Sequence, residues 1–229
     1  MGAPEDLKAN KIDIFDINPL NYLCVSLKIC IIIKEMERAI KVEKTTKLEF
    51  KPLTRDIWND FEKLFGKNGA FCGCWCMYWR LTNKEFKLNQ GETNKLLFKE
   101  IINSGEKPGI LAYVDGVPAG WIAISPREKL PTLEKSKRLK RIDEKPVWSI
   151  VCFYVGRSFR KIGLMQHLIK AAINFAKENG ATIVEGYPVE KNKKYAPISI
   201  YLGIKSAFVK EGFEETENRN GRFIMRYYI

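Results

Sequence analysis

A basic turn between two apolar stretches carries the clearest chemical signal in the sequence. It reads Arg-Ser-Phe-Arg-Lys-Ile-Gly-Leu-Met over residues 157–165 and follows the apolar run Trp148–Val155. The amphipathic stretch 164–177 comes next, so the order predicts a strand, a tight turn and a helix. A helix N-terminus presents unpaired backbone N–H groups and partial positive charge, and Arg160 and Lys161 add full charges beside it. The turn is therefore predicted to bind a phosphate or pyrophosphate.

The elements around this turn are predicted to form a βαβ unit. Gly163 lacks a Cβ, which lets the backbone approach a phosphate closely. The following helix has an apolar face that includes Leu168 and Ile169, and Asn179-Gly180 is typical of a left-handed helix end. Residues 182–187 then favour a second strand. The turn matches neither a Walker A sequence nor a G-x-G-x-x-G dinucleotide fingerprint.

The turn resembles the pyrophosphate turn of the GNAT superfamily of acyl-CoA-dependent N-acetyltransferases. That turn has the pattern Arg/Gln-x-x-Gly-x-Gly/Ala after the fourth strand. The matching residues here are Arg160, Lys161, Ile162, Gly163, Leu164 and Met165, the last of which departs from the usual small residue. Upstream, residues 110–125 with Asp115-Gly116 at their centre predict a hairpin that matches the second and third strands of the superfamily. Downstream, Gly212-Phe213 and Arg222–Tyr228 resemble its last turn and closing strand.

The resemblance extends over Lys47–Ile229 and implies both a fold and a reaction. The implied fold is α/β (α+β), a mixed and mostly antiparallel central sheet splayed between the fourth and fifth strands, with helices on both faces. The implied enzyme is an acyltransferase that uses acetyl-CoA as co-substrate and moves its acetyl group directly to a primary amine. The backbone of Phe153, Tyr154 and Val155 would pair with pantetheine and polarise the thioester carbonyl.

Glu185 is the candidate general base, because it lies near the end of the strand where the sheet should open. We expect a carboxylate half shielded from solvent, with a raised pKa; a solvated or salt-bridged carboxylate is the alternative. Many superfamily members have a tyrosine acid where this chain has Phe208. Tyr187, Tyr201 or a thiol of the cysteine-rich segment are the candidate replacements.

The cysteine-rich segment Phe-Cys-Gly-Cys-Trp-Cys-Met-Tyr-Trp-Arg spans residues 71–80. Its C-x-C-x-C spacing lacks the second Cys or His pair of a structural zinc site, so we predict no metal. Buried thiols among aromatic residues are the preferred interpretation, with Cys152 in a core strand. The resemblance places this segment at the acceptor pocket, where Trp75, Tyr78 and Trp79 would bind substrate. A Gly-Cys-Trp-Cys-Met-Tyr-Trp-Arg sequence here is similar to that of an uncharacterised branch of the superfamily.

Composition limits the classes of protein to which the chain could belong. The 229 residues are 45% hydrophobic, which suits one domain, residues 47–229, after an N-terminal extension, residues 1–46, of unknown role. The six cysteines do not resemble a secreted disulfide framework, and no signal peptide or apolar run of membrane-spanning length is visible. We therefore expect a cytoplasmic protein without membrane contact; whether it forms a homodimer is left open.

Two alternative functions compete with acetyl transfer. The formal charge of +12 could indicate a nucleic-acid-binding protein whose footprint includes the basic runs 127–145 and 191–194. The first run mixes both signs of charge and has no interleaved aromatic residues, which favours a solvated loop over a nucleic-acid surface. The missing tyrosine acid favours the other alternative, a non-catalytic acyl-CoA-binding domain. The acceptor itself, a small molecule or a peptide amine, is not identified by the sequence.

Overall fold

Seven strands form one sheet, built from short runs of β-branched and aromatic residues. The structure is a computed structural model and describes residues 46–190 and 197–229. The predicted extension 1–46, apart from its last residue, and the basic run 191–194 lie outside the described residues. The strands are Leu48–Pro52 (β1), Gly109–Val114 (β2), Val117–Pro126 (β3), Trp148–Val155 (β4), Ile183–Gly186 (β5), Glu214–Arg219 (β6) and Arg222–Tyr228 (β7).

The sheet has the order β1-β2-β3-β4-β5-β7-β6, and all neighbours are antiparallel except β4 and β5. The helices are Trp58–Phe65 (α1), Asn83–Leu88 (α2), Glu92–Asn103 (α3), Pro131–Glu134 (α4), Leu164–Glu178 (α5) and Lys205–Lys210 (α6). Short turns of 3-10 type cover Arg55–Ile57, Arg127–Lys129, Arg157–Phe159 and Pro197–Leu202. This mixed, mostly antiparallel sheet with a single parallel pair confirms the predicted fold class.

Two apolar clusters hold helices on opposite faces of the sheet. On one face, α5 buries Leu168, Ile169 and Ala172 against β2, β3 and β4. On the other face, Phe61 of α1 and Phe98 of α3 pack around Trp121 of β3. Full burial of one large apolar side chain stabilises a fold by about 1.5–3 kcal/mol, so these faces hold the helices firmly.

Several local predictions are confirmed. The helix predicted after the basic turn is α5, which ends before Gly180 in the left-handed region at φ +80°. Asp115 and Gly116 have φ values of +50° and +78°, as a tight hairpin turn between β2 and β3 requires. No helix among the described residues is long and apolar enough to cross a membrane.

The fourth strand contains a bulge that decides which side chains face the helices α1 and α3. Ile150 pairs with Ile124 and Cys152 pairs with Ala123, so Val151 has no partner on β3. An extra residue in one strand shifts the alternation of side chains and increases the local twist. Val151 and Cys152 consequently lie on the same face, beside the cysteine-rich segment.

Candidate functional site

The sheet opens next to the bulge. β4 pairs with β5 only from Trp148 to Ile150, whereas it stays paired with β3 as far as Val155. β5 ends at Gly186, and the turn Pro197–Leu202 packs beside the free half of β4 instead. The splay predicted between the fourth and fifth strands is therefore present, and it begins at the bulge.

Side chains on both faces anchor the splayed half of β4. Phe153 points toward α5 and meets Phe208 edge-on at 6.0 Å, while Tyr154 points to the opposite face and packs against Phe65 at 5.4 Å. Gly203 passes so close that a Cβ there would lie 2.9 Å from the Phe153 ring. These contacts fix the strand through its side chains, and the backbone of Phe153, Tyr154 and Val155 remains at the opening.

The predicted anion site follows β4 directly. Arg160, Lys161, Ile162 and Gly163 are all exposed, and α5 begins at the next residue. Lys161 and Gly163 have φ values of +68° and +79°, and a Cβ on Gly163 would meet nothing within 4 Å. Leu164 is buried and Met165 is half-buried, so only their backbone groups could contribute to such a site. An exposed turn with two cations at a helix N-terminus suits a pyrophosphate.

The cysteine-rich segment covers the opening from the side of α1 and α3. Three of its non-glycine residues, Cys72, Trp75 and Cys76, have φ between +43° and +63°. Such backbone costs roughly 1–3 kcal/mol per residue and persists only where packing enforces it. Gly73 is part of this tight packing, because a Cβ there would lie 2.2 Å from the backbone of Gly91.

The three aromatic residues predicted to bind substrate have different environments. Trp75 is buried and stacks on Phe65 at 5.8 Å. Trp79 is also buried, and its indole N–H donates to the carbonyl of the bulged Val151 at 3.0 Å. Tyr78 is half-buried and, with Trp79, lines a cavity of about 340 Å³. Tyr78 and Trp79 are therefore the two of the three that line a cavity, and Tyr78 is the more exposed.

Two thiols meet under this segment. The Sγ of Cys76 accepts a hydrogen bond from the Trp121 indole N–H at 3.1 Å. The neighbouring Cys152 thiol and the bond from Trp121, with the charge of Arg80, lower the pKa of Cys76. Cys76 and burial raise the pKa of Cys152. Burial raises the pKa of the neighbouring Cys74 to about 11.

Tyr201 lies at the same opening. It is half-buried in the turn beside β4, and burial raises the pKa of its phenol, with smaller contributions from Tyr78, Cys152 and Cys74. A phenol that stays protonated is suited to donate a hydrogen bond or a proton. Among the described residues no group of three cysteine, histidine or carboxylate side chains is arranged to hold a metal.

Glu185 and Tyr187 belong to a closed network at the paired end of β5. Arg127 Nη1 donates to Glu185 at 3.0 Å, Arg226 Nε at 2.8 Å, and the Tyr187 hydroxyl at 2.7 Å. Glu185 is 1% exposed and Tyr187 is fully buried. The half-shielded carboxylate expected at Glu185 is therefore wrong, because two guanidinium groups and a phenol enclose it. Burial also raises the pKa of Tyr187 well above its ordinary value.

The network corrects a second expectation. The basic run 127–145 was expected to be a solvated loop, but Arg127 is fully buried. Its guanidinium also pairs with Glu134 at 2.8 Å, and Arg141 pairs with Glu134 and Glu128. Internal partners thus occupy the charge of these two arginines.

The family comparison agrees with this geometry. A family model described as "Acetyltransferase (GNAT) family" matches residues 68–196, more than half of the chain. No curated protein matches the sequence.

The solved structures to which the chain is similar include the following three acetyltransferases. PaiA N-acetyltransferase from Thermoplasma acidophilum in complex with coenzyme A is 15% identical, with a TM-score of 0.46 over 80% of this chain and 99% of that one. A GNAT-family acetyltransferase from Listeria monocytogenes is 15% identical, with a TM-score of 0.49 over 80% and 95%. Aminoglycoside N-acetyltransferase AAC(6')-Iy in complex with CoA is 18% identical, with a TM-score of 0.48 over 77% and 94%.

Proposed function

The chain belongs to the GNAT family of acetyltransferases, and we propose that it transfers the acetyl group of acetyl-CoA directly to a primary amine. One observation supports this proposal above all. The splayed half of β4 and the exposed basic turn are consecutive in the chain, since β4 ends at Val155 and the turn starts at Arg157. An acyl-pantetheine arm lying along the strand would bring its pyrophosphate to the turn.

On the acetyl-CoA side of the site, the proposed roles belong to backbone groups and to two charged side chains. The backbone of Phe153, Tyr154 and Val155 would bind pantetheine and polarise the thioester carbonyl, which stabilises negative charge as the amine attacks. The N–H groups at the start of α5 would bind the pyrophosphate, with Arg160 and Lys161 as counter-charges. Arg160 is held near this position by its Nε, which donates to the Val155 carbonyl at 3.1 Å.

On the acceptor side, we propose that the amine enters between Tyr78, Tyr154 and Tyr201. All three side chains are partly exposed beside the opening. Binding both substrates together supplies proximity, so no acyl-enzyme is required. Tyr201 is the proposed acid for the departing sulfur, whereas Glu185 and Tyr187 are assigned a structural role because their network is closed to substrate. We propose a cytoplasmic location, since the free cysteines suit a reducing compartment.

The experiment compares the same glycine-to-aspartate substitution at the two ends of α5. Gly163 and Gly180 flank α5, have φ of +79° and +80°, and both have open space where a Cβ would be. Gly163→Asp puts a negative charge at the proposed pyrophosphate site and should weaken acetyl-CoA binding about tenfold or more, equivalent to ~1.4 kcal/mol. Gly180→Asp carries the same strain at the other helix end and should bind acetyl-CoA normally in calorimetry. Equal affinities in two folded variants would contradict the site.

The acceptor class is tested by turnover. Wild-type protein with acetyl-CoA should release free thiol when primary amines such as putrescine, benzylamine or glycinamide are added. The corresponding alcohols should give no release above background. Thiol release with the alcohols alone would contradict N-acetyl transfer.

A further inference from the structure

We propose that the acceptor amine carries an anionic group, a carboxylate or a phosphate, which Lys135 and Lys137 bind in the cavity beside Tyr78. The inference rests on the proposed function, because it names the class of amine that the same site would accept. Both lysines belong to the basic run 127–145, in which two arginines are paired internally. The two lysines have a different environment, and they line a cavity.

The cavity lies between the cysteine-rich segment and the residues that follow α4, and its volume is about 340 Å³. That volume is near the lower end of the range for small-molecule sites. The described residues that line it include no carboxylate. The lining residues that matter here are aromatic or can donate hydrogen bonds: Tyr78, Trp79, Asn83, Lys135, Ser136 and Lys137. A small site with several donors and no acidic group suits an anion.

The protein itself does not neutralise the charges of the two lysines. Both are exposed, and neither Lys135 nor Lys137 forms an ion pair with any residue that the structure describes. Lys135 lowers the pKa of Glu85, but as the smallest contribution. The hydroxyl and the backbone N–H of Thr82 bind that carboxylate, at 2.6 and 2.8 Å. The donors of both ammonium groups are therefore available to a ligand.

A larger cavity nearby has the opposite arrangement of charge. It measures about 560 Å³ and is lined by residues of α3 and by Arg80, Glu106 and Lys129. Arg80 Nη1 and Lys129 Nζ each lie 2.9 Å from an oxygen of Glu106. The cations of this larger cavity have a counter-charge within the protein, so an incoming anion would have to compete with it. The smaller cavity offers its positive charge without such competition.

The loop that carries the two lysines is anchored on both sides of them. Leu133 and Leu139 are buried, and Arg127 Nη2 donates to the carbonyls of both, at 3.4 and 2.6 Å. The hydroxyl of Ser136 accepts a third bond, from the Leu139 N–H at 3.1 Å. A binding loop that is ordered before its ligand arrives loses less conformational freedom on binding. The buried Arg127 therefore holds the backbone from which both lysines extend.

Trp79 connects the cavity with the proposed site of acetyl transfer. Its indole ring lines the cavity, and its N–H donates to the carbonyl of the bulged Val151 at 3.0 Å, where the sheet begins to open. The N–H of Thr132, on the other wall, donates to the Trp79 carbonyl at 3.2 Å. Tyr78 meets Trp79 edge-on at 4.9 Å and lies within electrostatic reach of Tyr201. An acceptor with its anionic end at the lysines would extend its amine past Tyr78 toward the splayed half of β4.

The first test compares amines that differ in one group. γ-Aminobutyrate and γ-aminobutyramide have the same length and shape, but only the first has a negative charge. Wild-type protein with acetyl-CoA should have a KM about tenfold lower for the acid than for the amide, as two exposed ion pairs would provide. Aminopropylphosphonate distinguishes the two anions, because a lower KM than that of the acid assigns a phosphate and a higher one a carboxylate. Equal KM values for all three amines would overturn the inference.

The second test changes the lysines. The double variant Lys135→Gln/Lys137→Gln should raise the KM of γ-aminobutyrate about tenfold, to that of the amide, and leave kcat and the KM of the amide unchanged. Lys137→Glu should reverse the preference, so that putrescine is favoured over γ-aminobutyrate. Lys140→Gln, at an exposed position of the same loop outside the cavity wall, is the matched control. An acid KM that ignores the double variant, or responds equally to the control, would overturn the inference.

Calorimetry separates this inference from the proposed function. γ-Aminobutyrate should bind to protein saturated with CoA, and the double variant should weaken that binding about tenfold. Lysine-dependent binding without acetylation of any amine would contradict the proposed function and establish the anion site. Acetylation of neutral amines without lysine-dependent binding of the acid would overturn the inference alone. Loss of oligonucleotide binding in the double variant, with no effect on the acid, would assign both lysines to a nucleic-acid surface and overturn it as well.

Discussion

Two polar clusters lie along the same strand and face the same side of the sheet, yet they have opposite properties. The cluster around Glu185 joins Ser149 of β4, through Tyr187, at the end where β4 and β5 are paired. The second cluster contains Cys152 and Cys76. Cys152 lies three residues farther along β4 than Ser149, at the end where the strands have separated. The first cluster contains residue types that usually do acid–base chemistry, and the second contains residues that usually fill cores.

The two clusters differ in access and in spare bonding capacity. Both oxygens of Glu185 are bound by guanidinium groups, and the residue is 1% exposed. Losing such a partner uncovers a buried charge, which is a stability effect. Cys152 is a half-buried residue at the separated end of β4, and Cys76 accepts a hydrogen bond from the Trp121 indole N–H. The predictions below therefore test the first cluster by its effect on stability and on turnover.

The largest stability effect is expected from Arg127→Met. The substitution keeps much of the side-chain volume but leaves Glu185 with one guanidinium partner instead of two, in a fully buried place. The free energy of unfolding should fall by about 3–5 kcal/mol, as measured by urea denaturation. Arg138→Met, which removes the same group from an exposed position of the same loop, should change it by less than about 0.5 kcal/mol. Equal losses of stability in the two variants would contradict the structural role assigned to the buried Arg127.

Glu185→Gln is expected to have an intermediate effect on stability and little on turnover. The amide keeps the shape but replaces charge-assisted bonds by weaker ones, so unfolding should become easier by about 1–3 kcal/mol. The kcat of the folded fraction should stay within a few-fold of wild type, with Glu214→Gln as the exposed control. A fall of kcat near 10²-fold in a folded Glu185→Gln protein would instead make Glu185 the base.

The smallest effect is expected from Asp143→Asn. Two hydrogen bonds from Arg226, at 2.7 and 3.0 Å, lower the pKa of Asp143 to about 2. A lowered pKa in the folded state gives stability that is present above the ordinary value of about 3.9 and is lost as the pH falls toward 2. Denaturation midpoints of the variant should therefore fall less steeply than those of wild type between pH 4 and 2. Glu144→Gln, an exposed neighbour, should follow the wild-type curve.

The parts of the fold that were predicted correctly have local causes. The apolar periodicity and the Asn179-Gly180 end specify α5, and Asp115-Gly116 specifies the hairpin. Two of the missed elements, α2 and β6, were missed for different reasons. α2 carries a capping box, Thr82 with Glu85, which could have revealed it. β6 is a polar strand with no alternation of apolar residues, so no periodic signal was present.

The parts of the site that escaped prediction depend on residues far apart in the chain. Arg127 and Glu185 are 58 positions apart, and Cys76 and Trp121 are 45 apart. Nothing in the spacing along the chain indicates that either pair meets. The bulge at Val151 is the third case, because one unpaired residue moves Cys152 to the other face without leaving a mark in the sequence. The basic turn after β4 could be recognised in the sequence because all of its residues are consecutive.

The pairing of Glu185 with Arg226 also bears on the order in which the protein folds during synthesis. β7 lies between β5 and β6 in the sheet, but its Arg226 is made 41 residues after Glu185. During translation, β5 is therefore synthesised before Arg226, which is one of the two counter-charges of its buried carboxylate. The splay is completed by the same late event, since β7 is the strand that holds β5 on the side away from β4. On the ribosome, the strands as far as β4 can assemble first, and the opening between β4 and β5 takes its final form only when β7 is in place.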